Sequence, residues 1–113
     1  MNNRVVITGT GVISPIGNST NQFWNSLING KNGVDLISLF DTEEFNVKIA
    51  AEVKIKLDDY FTTKELNKID RFTAFAIIAA DEAIKKSNIS KENSNKDRIG
   101  VIIGSGIGGI NTF

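Results

Sequence analysis

Apolar positions follow two different rhythms along this chain. Arg4-Val5-Val6-Ile7-Thr8 and Ile99-Gly100-Val101-Ile102-Ile103 are nearly continuous apolar runs, the pattern of strands covered on both faces. Ser19-Thr20-Asn21-Gln22 has the spacing of a capping box, and Phe23, Trp24, Leu27 and Ile28 form one helical stripe behind it. Gly30 stands where that short amphipathic helix should end. A second box, Thr62-Thr63-Lys64-Glu65, precedes Leu66, Ile69, Phe72, Thr73, Ala76, Ile77, Ala80, Ala83 and Ile84 at helical spacing. The pattern predicts one long helix from there. Its middle, Ala74 to Ala80, is apolar all round, which predicts a helix enclosed by packing, with alanines small enough to admit a close neighbour. Lys85 and Lys86 suit the negative end of the helix dipole, and Ser87-Asn88 begins the exit. From Lys31 to Tyr60 the signals are mixed, although Asn46 to Val53 alternates in part and suits a short strand.

The order is strand, helix, mixed segment, long helix, strand, which gives an α/β class. The first and last strands are suited to neighbouring positions in one parallel sheet. Gly9 to Gly17 holds three glycines and the only proline, so it reads as a turning loop with inward apolar side chains. The polar stretch from Ser87 to Asp97 is too short to link two folded domains, and no internal repeat is visible. A glycine-dense turn, Gly104-Ser105-Gly106-Ile107-Gly108-Gly109, follows the last strand. Such a turn ordinarily leads into more fold, so the chain is expected to be the opening of something longer.

Composition narrows the chemistry. The 113 residues contain no Cys and no His, which removes the commonest nucleophile and the commonest base near neutral pH. No catalytic residue is therefore assigned within the chain, nor any metal site. Thirteen basic and thirteen acidic residues cancel, so no global field draws the chain to nucleic acid or an anionic membrane. Apolar stretches are too short to cross a bilayer, and no signal or anchor is visible. The lack of cysteine is compatible with a cytoplasmic setting, and equally with a plastid or other organelle after loss of a transit segment.

Gly104-x-Gly106-x-x-Gly109 formally fits a dinucleotide fingerprint, in which glycines admit a pyrophosphate to the backbone. The sequence stops before a helix or ribose-binding acid could appear, and Gly9-x-Gly11-x-x-Ser14 lacks the third glycine and meets Pro15 instead. A structural turn is the plainer reading. Asp35, Asp41, Glu43, Glu44, Asp58 and Asp59 lack metal-loop spacing and read as solvated. Asp81 and Glu82 diverge on a helix, as surface or ion-pairing residues do. Lys64, Lys68 and Arg71 make a small basic edge suited to an acidic partner or to ordinary surface.

Val5 to Gly17, Phe40-Asp41-Thr42, Lys68-Ile69-Asp70-Arg71-Phe72 and Gly104 to Gly109, in that order, closely resemble the amino-terminal part of the β-ketoacyl-acyl-carrier-protein synthase II family of condensing enzymes. Phe23-Trp24 and Leu27 followed by Gly30 also fit. The resemblance runs through residues 1–113 and implies an incomplete domain, the amino-terminal part of the first half of a thiolase-like layered α/β fold. Members elongate fatty acids by decarboxylative Claisen condensation with malonyl groups on an acyl carrier protein. They use a Cys and two His residues, which this resemblance places outside the chain, so the chain alone is expected to be inactive. No cofactor is implied beyond the phosphopantetheine that arrives on the carrier.

The resemblance also implies a homodimer and two sets of site residues. Ile107, flanked by Gly106 and Gly108, matches the isoleucine that borders the acyl pocket near the dimer interface. Lys64 and Lys68 match carrier-docking lysines, Asn67 departs from a basic residue found between them in some relatives, and Arg71 lies one turn later. A non-catalytic, chain-length-factor-like or partner-binding module is the alternative reading; a nucleotide-binding domain is the third.

Overall fold

The computed structural model describes residues 3–90, 92 and 94–109. Two units divide the chain: Val12–Lys56, and Met1–Gly11 together with Leu57–Phe113.

In the Val12–Lys56 unit the Pro15-Ile16 turn is closed by paired backbone bonds between Ser14 and Gly17, at 2.9 and 3.3 Å. A Cβ on Gly17 would lie 2.4 Å from the Phe23 backbone nitrogen. Glycine at that position lets the turn lie against the first turn of helix α1 (Thr20–Ile28). Ser19 caps α1 by accepting from the Gln22 N–H, as its spacing predicts. The Gln22 side chain reaches back one residue further than a standard box, to the Asn18 N–H at 2.9 Å. Gly30, at φ 62°, takes the left-handed conformation that ends helices cheaply.

The mixed segment contains the described sheet. Strand β1 (Asp35–Leu36) pairs antiparallel with β2 (Ile49–Ala50), Asp35 opposite Ala50 and Leu36 opposite Ile49. The predicted strand near Asn46 to Val53 therefore exists, shorter than its alternation suggests. Two carboxylates fix the surrounding chain. Asp35 accepts from Lys54 Nζ at 2.8 Å, so Asp35 is not simply solvated. Glu52 accepts from the Ser38 N–H and hydroxyl at 3.0 and 2.7 Å, and from the Leu39 N–H at 3.2 Å.

The Ser38 bonds, and after them the Leu39 bond and the nearby Lys54 charge, hold the Glu52 carboxyl below its usual 4.5. A carboxyl whose folded pKa is depressed stabilises the fold above its unfolded pKa, and that stabilisation is lost as pH falls through the folded value. Hydrogen exchange at the Ser38 and Leu39 amides should therefore stay slow near neutrality and accelerate as pH falls below that of an ordinary glutamate, relative to intrinsic rates. Glu52→Gln should show the faster exchange already at neutral pH. Equal protection in the two proteins would mean that the clamp does not order this loop.

In the other unit the predicted long helix is divided. Thr62 and Glu65 form the expected reciprocal box, but it closes only the single-turn helix α2 (Thr63–Leu66). Asp70, in extended conformation at φ −74° and ψ 158°, begins helix α3 (Arg71–Ser87). Asn67 and Asp70 favour caps over helix interiors, and that preference overrides the continuing apolar spacing. Lys85 and Lys86 occupy the last turn and pair with Asp81 and Glu82 one turn earlier. The ion-pair reading of those two acids holds. Asn88, at φ 58°, ends the helix in left-handed conformation.

The enclosed middle of this helix is only partly realised. Ala74 and Ile78 are buried, whereas Ile77 on the adjoining face is 44% exposed. The Gly9–Gly11 segment lies against α3 at Ala79, Ala83 and Ser87. A Cβ on Gly9 would lie 2.1 Å from the Ala83 carbonyl oxygen, and one on Gly11 1.8 Å from that of Ala79. Two residues of extended chain advance about 6.6 Å and four helical residues about 6.0 Å. Glycines two apart thus meet alanines four apart along one seam.

The largest departure from the sequence pattern concerns the apolar runs. Neither Arg4–Thr8 nor Ile99–Ile103 is a strand, and no parallel sheet forms among the described residues. Val5 is 91% and Ile102 98% exposed. A strand is defined by ladder bonds to a neighbour, and no described segment supplies one. Apolar character encodes the demand for cover; the covering element is a separate requirement.

Candidate functional site

Every side chain predicted to act lies in the unit that carries α2 and α3, but in two separate groups. Lys64, within α2, and Lys68, just beyond it, are exposed. Neither has an ion pair among the described residues. Glu65 between them points to the cap: its carboxylate accepts from the Thr62 hydroxyl and N–H at 2.7 and 2.8 Å. Those bonds keep its pKa below the usual glutamate value, so it stays anionic without neutralising either lysine. The Arg71 guanidinium carbon lies 5.0 Å from the centroid of the Phe75 ring, a cation–π contact that orients this third cation. The α2 capping box and the Asp70 restart thus set these cations on a short broken corner.

The second group is the glycine turn. Ile107 is 85% exposed, and a Cβ on Gly106 or Gly108 would meet nothing within 4 Å. Gly108, at φ 82°, is glycine for conformational reasons. Neither Ile107 nor the lysines at 64 and 68 line either of the two concavities described below. Gly104 and Gly106 also face open space, while Gly9 and Gly11 are occupied by α3. Neither glycine pattern forms a phosphate cradle among the described residues.

Two concavities escaped sequence reasoning. A cleft of about 390 Å³ in the Val12–Lys56 unit is lined by Pro15, Gln22, Asn25, Lys31 and Lys54, among others. Its Lys54 is already engaged by Asp35. A smaller pocket of about 200 Å³ is lined by Tyr60, Phe61, Ile77, Ile78 and Asp81. The signal for it was an aromatic pair directly before the Thr62 cap. Among the described residues no cluster of three or more Asp, Glu, His or Cys is placed to hold a metal, and no helix is long and apolar enough to cross a membrane.

The family model described as the N-terminal domain of β-ketoacyl synthase matches residues 2–112. The chain belongs to the β-ketoacyl synthase family. The 3-oxoacyl-[acyl-carrier-protein] synthase 2 of Staphylococcus aureus is 48% identical over 113 residues, covering 99% of this chain and 27% of that protein. The protein of the same name from Synechocystis sp. is 40% identical over 108 residues, covering 95% and 26%. The chain thus spans about a quarter of the length of these curated relatives. Among solved structures, the ishigamide ketosynthase/chain length factor superposes with a TM-score of 0.69 at 30% identity, covering 78% of this chain and 22% of that one. This likeness supports the α/β class even though the described sheet of this β-ketoacyl synthase chain has only two strands.

Proposed function

We propose that residues 1–113 are the amino-terminal part of the first half of a thiolase-like β-ketoacyl-acyl-carrier-protein synthase. The protein they belong to elongates fatty acyl chains. The observation that carries this is the 48% identity, across 99% of the chain, to a protein named as a 3-oxoacyl-acyl-carrier-protein synthase 2. In the proposed reaction a cysteine thiolate displaces the carrier thiol from an acyl thioester. Malonyl-carrier then loses CO2, and its carbanion attacks the acyl-enzyme, forming the carbon–carbon bond and releasing the cysteine. With neither Cys nor His, this chain leaves those steps to residues outside it. Its own contribution is a carrier-docking edge at Lys64, Lys68 and Arg71, and an acyl-pocket border at Ile107, Gly106 and Gly108. Phosphopantetheine is brought by the carrier, the working form is a homodimer, and the setting is cytoplasmic.

A chain-length-factor-like role is the second reading; the ishigamide ketosynthase/chain length factor that superposes on this chain is named for both roles. An assay of the protein at its native length separates the two, using acyl-carrier primer and malonyl-carrier. A synthase forms β-ketoacyl product alone; a chain-length-factor-like subunit does so only with a catalytic partner. Lys64→Glu with Lys68→Glu should raise KM for carrier-bound substrate about tenfold at low salt and flatten its salt dependence, because complementary charge acts mainly on encounter. An unchanged KM at low salt would assign both lysines to plain surface.

A further inference from the structure

Two Asn-Gly pairs stand close together at the end of α1, Asn29-Gly30 and Asn32-Gly33, and the fold treats them differently. In such a pair the asparagine side-chain amide is open to attack by the next backbone nitrogen, because glycine puts no Cβ beside that nitrogen. At Asn29 both reacting groups are held. Its side-chain amide donates to the Asn25 carbonyl at 2.7 Å, and the Gly30 N–H donates to the Leu27 carbonyl at 3.0 Å. At Asn32 neither group is held. The Gly33 N–H and the Asn32 side-chain NH2 donate to nothing among the described residues, and Asn32 is exposed. The bond this side chain does make favours reaction: Asn32 Oδ1 accepts from the Val34 N–H at 2.9 Å. It folds the side chain over the Gly33 peptide and sets a donor on the oxygen that becomes anionic when the amide carbon is attacked. These groups all belong to residues 32–34, so the arrangement is local in sequence.

We propose that Asn32 is a site of deamidation, converting to aspartyl and isoaspartyl residues with water as the co-reactant, while Asn29 is spared. The Gly33 nitrogen gives its proton to solvent and attacks Asn32 Cγ. The new N–Cγ bond closes a succinimide ring, the Cγ–Nδ2 bond breaks, and ammonia leaves after taking a proton back from solvent. Water then opens the ring. Addition at Cγ restores the ordinary main chain with an aspartate; addition at the main-chain carbonyl leaves residue 32 joined to Gly33 through Cγ. The first product keeps a carboxylate to accept from Val34. The second adds a methylene to the main chain just before β1, where Gly33 lies against the Pro15-Ile16 turn. A Cβ on Gly33 would come 2.8 Å from Ile16 Cγ2 and 3.0 Å from Pro15 Cβ, so the isoaspartyl form disturbs packing as well as charge.

The test is peptide mass spectrometry of the protein at its native length, incubated at mildly alkaline pH with and without urea. Trypsin separates the two pairs: cleavage after Arg4, Lys31 and Lys48 puts Asn29 in residues 5–31 and Asn32 in residues 32–48, and fragment ions locate the new acid. In the folded protein Asn32 should convert roughly tenfold faster than Asn29, the factor that two net hydrogen bonds supply. Its rate should rise with pH, because the attacking nitrogen must be deprotonated. In urea the two rates should converge. Equal rates in the folded protein, or an Asn32 that reacts only in urea, would overturn the proposal. A tenfold ratio that persists in urea would assign the difference to flanking sequence and overturn the role given to the fold.

Discussion

Alanine at Gly11 should lower the unfolding free energy by roughly 3 kcal/mol, the upper range for forcing extra atoms into a packed contact. Alanine at Gly104 should leave it nearly unchanged. The contrast follows from what each new methyl group would meet. At Gly11 it would sit 1.8 Å from the carbonyl oxygen of Ala79 and 2.7 Å from its carbon. Both belong to helix backbone, so no side chain can turn away to make room. At Gly104 the methyl would enter open space. Gly9→Ala should resemble Gly11→Ala, because its nearest atoms are the Ala83 oxygen at 2.1 Å and the Ser87 nitrogen at 2.8 Å. Gly11 and Gly9 meet α3 at Ala79, Ala83 and Ser87, so either added methyl group pushes the segment off the helix at that seam. Urea denaturation followed by circular dichroism provides the measurement. Equal midpoints for the Gly11 and Gly104 variants would mean that the seam contributes nothing to stability.

This seam also marks how far the sequence could be read. Ala79 and Ala83 announced that something would approach α3 closely, and Gly9 and Gly11 announced a backbone with special demands. Nothing local said that the two requirements answered each other, because the match between extended-chain and helix rises appears only when the segments lie side by side. Caps were the most legible features: Ser19, Thr62, Gly30 and Asn88 act through bonds or conformations within a few residues. The interruption at Asn67 to Asp70 was written in the same local chemistry, but a regular apolar spacing masked it. The strands at Arg4 to Thr8 and Ile99 to Ile103 were read from burial preference, and preference cannot provide a ladder partner. The Glu52 clamp was hidden for a related reason, since its partners Ser38 and Leu39 lie fourteen and thirteen positions away. Within the candidate site, the lysine edge was legible as charge at helical spacing. The pocket lined by Tyr60, Phe61, Ile77, Ile78 and Asp81 was not, because it needs the turn before α2 to stand beside α3.

Ile107→Phe should shorten the primers a full-length synthase accepts, and this is the largest effect expected on function. Ile107 is 85% exposed, which leaves its side chain available for the acyl-pocket border proposed above. Gly106 and Gly108 place no side chain beside it, and Gly108 holds the turn at φ 82°, where most residues are strained. An acyl tail passing such a turn is limited chiefly by the one side chain that projects from it. Exchanging isoleucine for phenylalanine should deny a long tail its last two or three methylenes. At about 0.8 kcal/mol each, that is a loss of roughly 1.6 to 2.4 kcal/mol, or between ten- and sixty-fold in kcat/KM for long primers. Short primers, which end before the obstruction, should react at nearly the original rate. Ile107→Ala should leave the long primers usable, which separates obstruction from general damage to the turn. The measurement is kcat/KM across a series of acyl-carrier primers of increasing length. A loss that is uniform along the series would remove Ile107 from the pocket and return the glycine turn to a purely structural role.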